Sequence, residues 1–365
     1  MKKLVTIVGA RPQFIKASPV SNALKASGLI NEIIIHTGQH YDSNMSDIFF
    51  EELGIDEPKY KLNLGGGNHG EMTGKMLEGI EKILLSEKPD MVLVYGDTNS
   101  TLAGTLAAVK LHIPVAHVEA GLRSFNRKMP EEINRILADQ CSDILFCPTQ
   151  SSVDQLKKEG IVGKCLYVGD VMYDVALMSK KKLGDKTQTL EKLNLKNKQF
   201  ALATCHRAEN TDIADRLTSI LTALAKISQS MPVVFPIHPR TLKVINDLNL
   251  QHLLKTIHTT EPLGFLETIE LEIHAKVILT DSGGMQKEAC FQGTPCITLR
   301  DETEWVETVS SGWNSIVGAD QEKIITAFDK ALNLDVKTLP NPDFYGQGDA
   351  SEKICNSILD TLRST

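Results

Sequence analysis

At 365 residues the chain is longer than one ordinary hydrophobic core needs, so two domains are expected. Its 42% apolar and 23% charged content is that of a globular protein without a disordered tail. A net charge of −7 excludes a general affinity for nucleic acid or anionic membranes, yet leaves room for one local basic pocket.

LVTIVG (4–9) is the continuous apolar run of a buried parallel strand, and a helix is expected from about Pro12 to Leu24. Strand EIIIHTG (32–38) follows, then a polar, Gly-rich passage (64–70) and a helix through Leu85. MVLVYGD (91–97), PVAHVEA (114–120), DILFCPT (143–149) and CLYVGD (165–170) continue the series, with helical segments between them. Residues 176–198 lose the strand pattern, are rich in lysine and read as an inter-domain passage. The rhythm then restarts with QFALATC (199–205), PVVFPIHP (232–239), TIHTT (256–260), KVILTDSGG (276–284), PCITLR (295–300) and NSIVGA (314–319), and a helix over about 350–363 ends the chain. Strands alternating with helices of this length specify α/β units, here two Rossmann-like doubly wound domains. Ligands of such sheets sit beyond the carboxyl ends of the strands, so two sheets facing each other would share one cleft.

Seven scattered cysteines form no CxxC pair and no zinc spacing, so free thiols in a reducing compartment are expected. The apolar run after MKK is shorter than a signal-peptide core, and no stretch reaches the roughly 20 apolar residues of a membrane span. A cytoplasmic setting without membrane association follows as the expectation.

The polar residues collect at strand ends. GARPQFIK (9–16) puts Arg11 and Lys16 at a helix start, where orphan N–H groups and two cations favour an anion; it is not a GxGxxG fingerprint. HTGQHYD (36–42) offers Gln39, His40 and Asp42, and GGGNHG (65–70) reads as a mobile loop rather than a phosphate loop. YGDTNST (95–101) places Asp97 before a helix, where capping by Asp, Ser or Thr is the plain alternative to chemistry. The densest stretch is Val115 to Arg135: a buried strand runs into Glu119, then Arg123, Arg127, Lys128, two carboxylates headed by Glu131, and Arg135. Asp97, Glu119 and Glu131 gathered in one pocket would raise each other's pKa, as proton transfer requires. In TCHRAEN (204–210) His206 is the functional candidate, because strand alternation turns Cys205 into the core; IHPR (237–240) repeats the arrangement with His238. TDSGGMQKEA (280–289) is the clearest ligand loop: Ser282, Gly283 and Gly284 would receive a diphosphate and Glu288 a ribose diol.

Taken in order, GARPQFIK, HTGQH, GDT, HVEAGLR, PEEINR, HRAEN, HP and DSGGMQKEA resemble the non-hydrolysing UDP-N-acetylglucosamine 2-epimerase family over nearly the whole chain. The resemblance implies the glycosyltransferase-B-like pair of domains, with boundaries at 1–175 plus a returning helix at about 350–365, and a UDP-binding domain at 176–349. It implies C2 inversion of a UDP-linked acetamido sugar by anti elimination of UDP and re-addition through a glycal, with no cofactor and no metal. Asp97, Glu119 and Glu131 would be the acid–base carboxylates. His206 would lie near the diphosphate with Arg11 and Lys16 as cationic partners, and His238, Ser282, Gly283, Gly284 and Glu288 would bind substrate. A homodimer is common in the family.

The chain departs from the family's GTRPEAIK opening, carries Trp305 where TERPE has arginine, and lacks the usual GQ-containing loop, which helps form a regulatory UDP-N-acetylglucosamine site in many bacterial members. These departures resemble the branch that acts on UDP-2,3-diacetamido-2,3-dideoxy-glucuronic acid for surface polysaccharide such as lipopolysaccharide O-antigen. The alternatives are UDP-N-acetylglucosamine itself as substrate, a glycosyltransferase of the same fold, and a nucleotide-sugar-binding regulator.

Overall fold

The computed structural model describes residues 1–39, 50 and 53–364; His40 and Asp42 lie outside the described residues. It divides into two compact units, Met1–Val175 with Asp343–Thr365, and Ala176–Pro342. The chain rejoins the first unit at Asp343, ahead of the helix expected near 350. The reason is local. Tyr345 is fully buried there and its carbonyl accepts the Asp170 N–H at 2.8 Å, while Asp174 caps the last helix by accepting Ser351 N–H at 2.7 Å.

The first sheet holds β1 (Lys2–Val8), β2 (Ile30–His36), β3 (Tyr60–Lys61), β4 (Met91–Tyr95), β5 (Val115–Val118), β6 (Ile144–Cys147) and β7 (Lys164–Tyr167). Every pairing is parallel and the order is β3-β2-β1-β4-β5-β6-β7. β4, β5 and β6 are buried along their length, which is why they read as unbroken apolar runs. The edge strand β3 was not expected, because two residues carry no periodic signal.

The second sheet holds β8 (Ala201–Thr204), β9 (Val233–Pro236), β10 (His258–Thr260), β11 (Val277–Thr280), β12 (Cys296–Thr298) and β13 (Asn314–Ile316), in the order β10-β9-β8-β11-β12-β13. Its helices pack by one face. In Ala214–Ile227 the buried residues Leu217, Ile220, Leu221, Leu224 and Ile227 follow the helical period, each contributing about 1.5–3 kcal/mol on burial. The lysine-rich passage is itself helical, over Val171–Leu183 and Gln188–Lys192.

In both sheets the strand order reverses beside the first strand, between β1 and β4 and between β8 and β11. Such reversal points open a crevice at the carboxyl edge where doubly wound folds take ligands. All seven cysteines are free thiols, and among the described residues no helix is long and apolar enough to cross a membrane.

Candidate active site

At the reversal point of the first sheet, β1 leads into the helix Arg11–Ser27, with Arg11 at its first position. Gln13 lies inside this turn. Its oxygen accepts the Gly9 N–H at 2.8 Å and its amide donates to Tyr95 O at 2.7 Å, tying the ends of β1 and β4 together. An ionised glutamate, as in the family's usual opening, has no hydrogen to give Tyr95 O. One turn on, Lys16 forms an ion pair with Glu119.

Glu119 stands just past β5 with φ +70°, a conformation that costs a non-glycine residue on the order of 1–3 kcal/mol. Its N–H is held by Phe146 O at 3.1 Å. Gly96, also at positive φ, passes directly beside the pair: a Cβ there would sit 3.4 Å from Glu119 Oε2 and 3.5 Å from Lys16 Nζ. The next residue, Asp97, does not cap the following helix; Thr98 does, accepting Thr101 N–H at 3.3 Å. The Asp97 carboxylate is thereby left to Arg135, which also donates to Glu132 at 3.1 Å.

Glu131 and Glu132 open the helix Pro130–Cys141 with opposite fates. Glu132 is 1% exposed and accepts from Ser124 N and Oγ (2.9 and 3.0 Å) and Phe125 N (3.0 Å), clamping the loop after Glu119. Glu131 stays half-buried, one turn before Arg135. The expected crowding of carboxylates is corrected here: Asp97 and Glu119 each face a cation, because two arms of the helices, Arg135 and Lys16, reach them.

At the reversal point of the second sheet, His206 follows β8 and Asp281 follows β11. Asp281 is fully buried and accepts from His206 N (3.0 Å), Arg207 N (2.9 Å) and Asn210 Nδ2 (3.2 Å). HRAEN and DSGG, separate motifs in the chain, are thus shaped by one carboxylate. The His206 ring, with Nδ1 3.6 Å from Asp281, is held below the usual histidine range by partial burial, with Arg207 and His238 adding and Asp281 opposing. His238 is exposed and caps Pro239–Asp247, its Nδ1 accepting Arg240 N–H at 3.2 Å.

Ser282 caps the helix Gly283–Phe291. A Cβ on Gly283 would lie no closer than 3.7 Å to any chain atom outside its immediate neighbours, and one on Gly284 no closer than 3.9 Å. The fold itself therefore does not crowd out a side chain at either position. Over Gly283 stand Trp305 Nε1 (3.7 Å from that Cβ position), Arg207 and Glu304. Lys287, 1% exposed, lies 3.8 Å above the Trp305 ring, a cation–π contact that compensates a buried ammonium.

Several of these residues escaped the sequence reading. Asp281 was hidden beside Ser282, and Glu132 beside Glu131, although its spacing to Arg135 was a visible hint. Arg300 is 2% exposed and bonded to Glu209 at 2.8 Å and Glu304 at 3.3 Å, a pairing no local pattern announces. Glu272 is fully buried beside Glu288; burial first, then Glu288, push its acid well above the usual range.

Fold and site define a pair of Rossmann-like units of the glycosyltransferase-B type, with carboxylate–cation pairs at the strand ends of one and a glycine-bearing helix start at those of the other. A profile of the UDP-N-acetylglucosamine 2-epimerase family matches residues 22–359, and the chain belongs to that family. It is 54% identical over 362 residues to the UDP-2,3-diacetamido-2,3-dideoxy-D-glucuronate 2-epimerase of Pseudomonas aeruginosa, covering 98% of this chain and 99% of that protein. It is 48% identical to the UDP-N-acetylglucosamine 2-epimerase of Methanocaldococcus jannaschii, over 96% of this chain and 97% of the relative. A crystal structure of the M. jannaschii enzyme in complex with UDP-GlcNAc and UDP superposes with a TM-score of 0.89, covering 98% of this chain and 99% of the other. The Neisseria meningitidis UDP-GlcNAc 2-epimerase bound to UDP-GlcNAc, 32% identical, also gives 0.89 over 98% of this chain and all of its own.

Proposed function

We propose that this chain is a UDP-sugar 2-epimerase that inverts C2 by eliminating UDP and adding it back. One carboxylate takes the C2 proton, the C–H electron pair becomes the C1–C2 double bond of a glycal, and UDP leaves with the C1–O pair. Re-addition of UDP at C1, with a proton delivered to the other face of C2, gives the epimer. An unactivated C2 proton is a poor acid, so departure of the diphosphate must be assisted by groups that receive its charge.

The single observation that carries the reading is Glu119, a carboxylate held in strained backbone at the reversal point and already paired with Lys16. Asp97 and Glu131 complete the acid–base set. Arg11, Lys16 and His206 are the groups assigned to the diphosphate, with the Ser282–Gly284 helix start; Glu288 takes the ribose and His238 is a further substrate-binding group. The preferred substrate is UDP-2,3-diacetamido-2,3-dideoxy-glucuronic acid, giving its manno epimer for surface polysaccharide. The 54% identity to the P. aeruginosa enzyme supports that substrate, and UDP-N-acetylglucosamine is the alternative, since a UDP-N-acetylglucosamine 2-epimerase homolog of Methanococcus maripaludis is also 54% identical. Family membership supports a homodimer working in the cytoplasm.

Incubation with each UDP-sugar in deuterated water tests the proposal. Deuterium at C2 and an acceptor-independent manno product are expected; protium retained at C2 of every sugar tried sinks it.

A further inference from the structure

His117 lies in β5, two residues before Glu119, and is completely buried. Its Nε2 is 2.6 Å from Gly96 O and its Nδ1 is 2.8 Å from Asp139 Oδ1. A carbonyl and a carboxylate offer only lone pairs, so both ring nitrogens carry hydrogen when both bonds are made. With hydrogen on Nδ1 alone, the Nε2 lone pair would face the Gly96 oxygen at 2.6 Å and repel it.

The surroundings hold the ring in place. Asp139 is fully buried; its second oxygen accepts the Gly121 N–H at 3.1 Å and Arg123 at 2.7 Å. Arg123 in turn forks onto Glu159 at 2.8 and 2.6 Å. His117, Asp139, Arg123 and Glu159 thus form one linked network that is buried except at Glu159, whose side chain is 24% exposed. Burial pushes the Asp139 acid up, but His117 and Arg123 outweigh it and hold the carboxyl below the usual range.

This network touches every element that bears a proposed acid–base carboxylate. Gly96 O belongs to the turn of Asp97, His117 to the strand of Glu119, and Asp139 to the helix of Glu131. We infer that His117 is a positioning residue, whose two hydrogen bonds lock these three elements into one frame and keep the Gly96 turn seated against the Lys16–Glu119 pair. It touches no reacting atom on this reading. The inference rests on the proposed epimerase chemistry.

Two isosteric variants separate the two bonds. In His117→Gln the amide nitrogen falls near the former Nε2 and keeps the Gly96 bond; in His117→Asn it falls near the former Nδ1 and keeps only the Asp139 bond. The expected result is that His117→Asn loses kcat on the order of 10²-fold, the effect of roughly 1 Å of misplacement, with UDP affinity and KM near wild type. His117→Gln, which keeps the Gly96 turn seated but gives up the Asp139 bond, loses clearly less than His117→Asn. Asp139→Asn, which keeps an acceptor for Nδ1 but removes the charge that supports the second hydrogen, should reproduce the kcat loss at unchanged UDP affinity if His117→Asn fails to fold. Equal activities of folded His117→Asn and His117→Gln, or parallel loss of UDP binding and kcat, would overturn the inference. Wild-type protein that incorporates no deuterium at C2 would instead overturn the chemistry on which it rests.

Discussion

Beyond the strands of the first sheet, charge is set against charge: Lys16 on Glu119, Arg135 on Asp97 and Glu132, Arg123 on Asp139 and Glu159. Beyond the strands of the second sheet, the buried carboxylate of Asp281 accepts two backbone N–H groups and the Asn210 amide, and the helix start at Ser282–Gly284 presents backbone rather than an ion pair. On the proposed chemistry the contrast fits two tasks. Proton transfer needs side chains whose pairing can change during the reaction, a role the proposal gives to Glu119 beside Lys16. Binding a diphosphate needs fixed donors that cost no reorganisation, a role it gives to backbone dipoles.

The largest effects should come from breaking the first region's chemistry while sparing binding. Asp97→Asn, Glu119→Gln and Glu131→Gln are each expected to lower kcat by about 10²–10⁴-fold. Calorimetric UDP affinity should stay close to that of the unmodified protein. Loss of UDP binding in step with kcat would erase the division of labour.

The reverse experiment fills the second region. Gly283→Ala adds a methyl group with no chain atom outside its immediate neighbours nearer than 3.7 Å, so thermal stability should hold while the Kd for UDP rises about tenfold, or 1.4 kcal/mol. An unchanged Kd would mean that nothing approaches this helix start.

A third test concerns the buried Glu272. Its folded-state acid lies above the unfolded value, so its penalty is absent at pH below the unfolded carboxyl range and grows as pH rises toward the folded value. Glu272→Met should therefore gain more stability at pH 8 than at pH 4, because only the pH-dependent penalty of burying a charge grows as pH rises. Denaturant midpoints at the two pH values decide this, and a gain at pH 4 equal to that at pH 8 would contradict it.

The smallest effect is reserved for the exposed loop cations. Replacing either Arg127 or Lys128 singly by alanine removes at most about 1 kcal/mol for one exposed pair, so KM for a UDP-glucuronate-type sugar should rise no more than about fivefold. KM for UDP-N-acetylglucosamine should not move, and an equal rise for both sugars would detach the loop from carboxylate selection.

Much of the fold was legible because it is written locally. Apolar runs at 91–95 and 115–118 can only be buried strands, and Asp97, Glu119, His206 and Ser282 stand where such strands end. Less legible were residues whose role depends on distant partners. Glu131 and Glu132 are neighbours of one type, and only the loop around Ser124 decides which of them is buried. Trp305 read as a departure from a family motif, and its place under Lys287 and beside Gly283 was not foreseeable from its neighbours.

By itself, then, the amino-acid order determined the alternation of strands and helices, the polar residues at their ends and the family they spell out, since each depends on side-chain period and on motifs within a few residues. Tertiary structure alone decided that both sheets reverse order where those residues stand. It also decided that Asp281 builds two motifs at once, and that His117 joins the elements of three carboxylates. Those outcomes rest on contacts between residues some 20 to 90 positions apart in the chain, formed only when strands pair and desolvated charges must find partners.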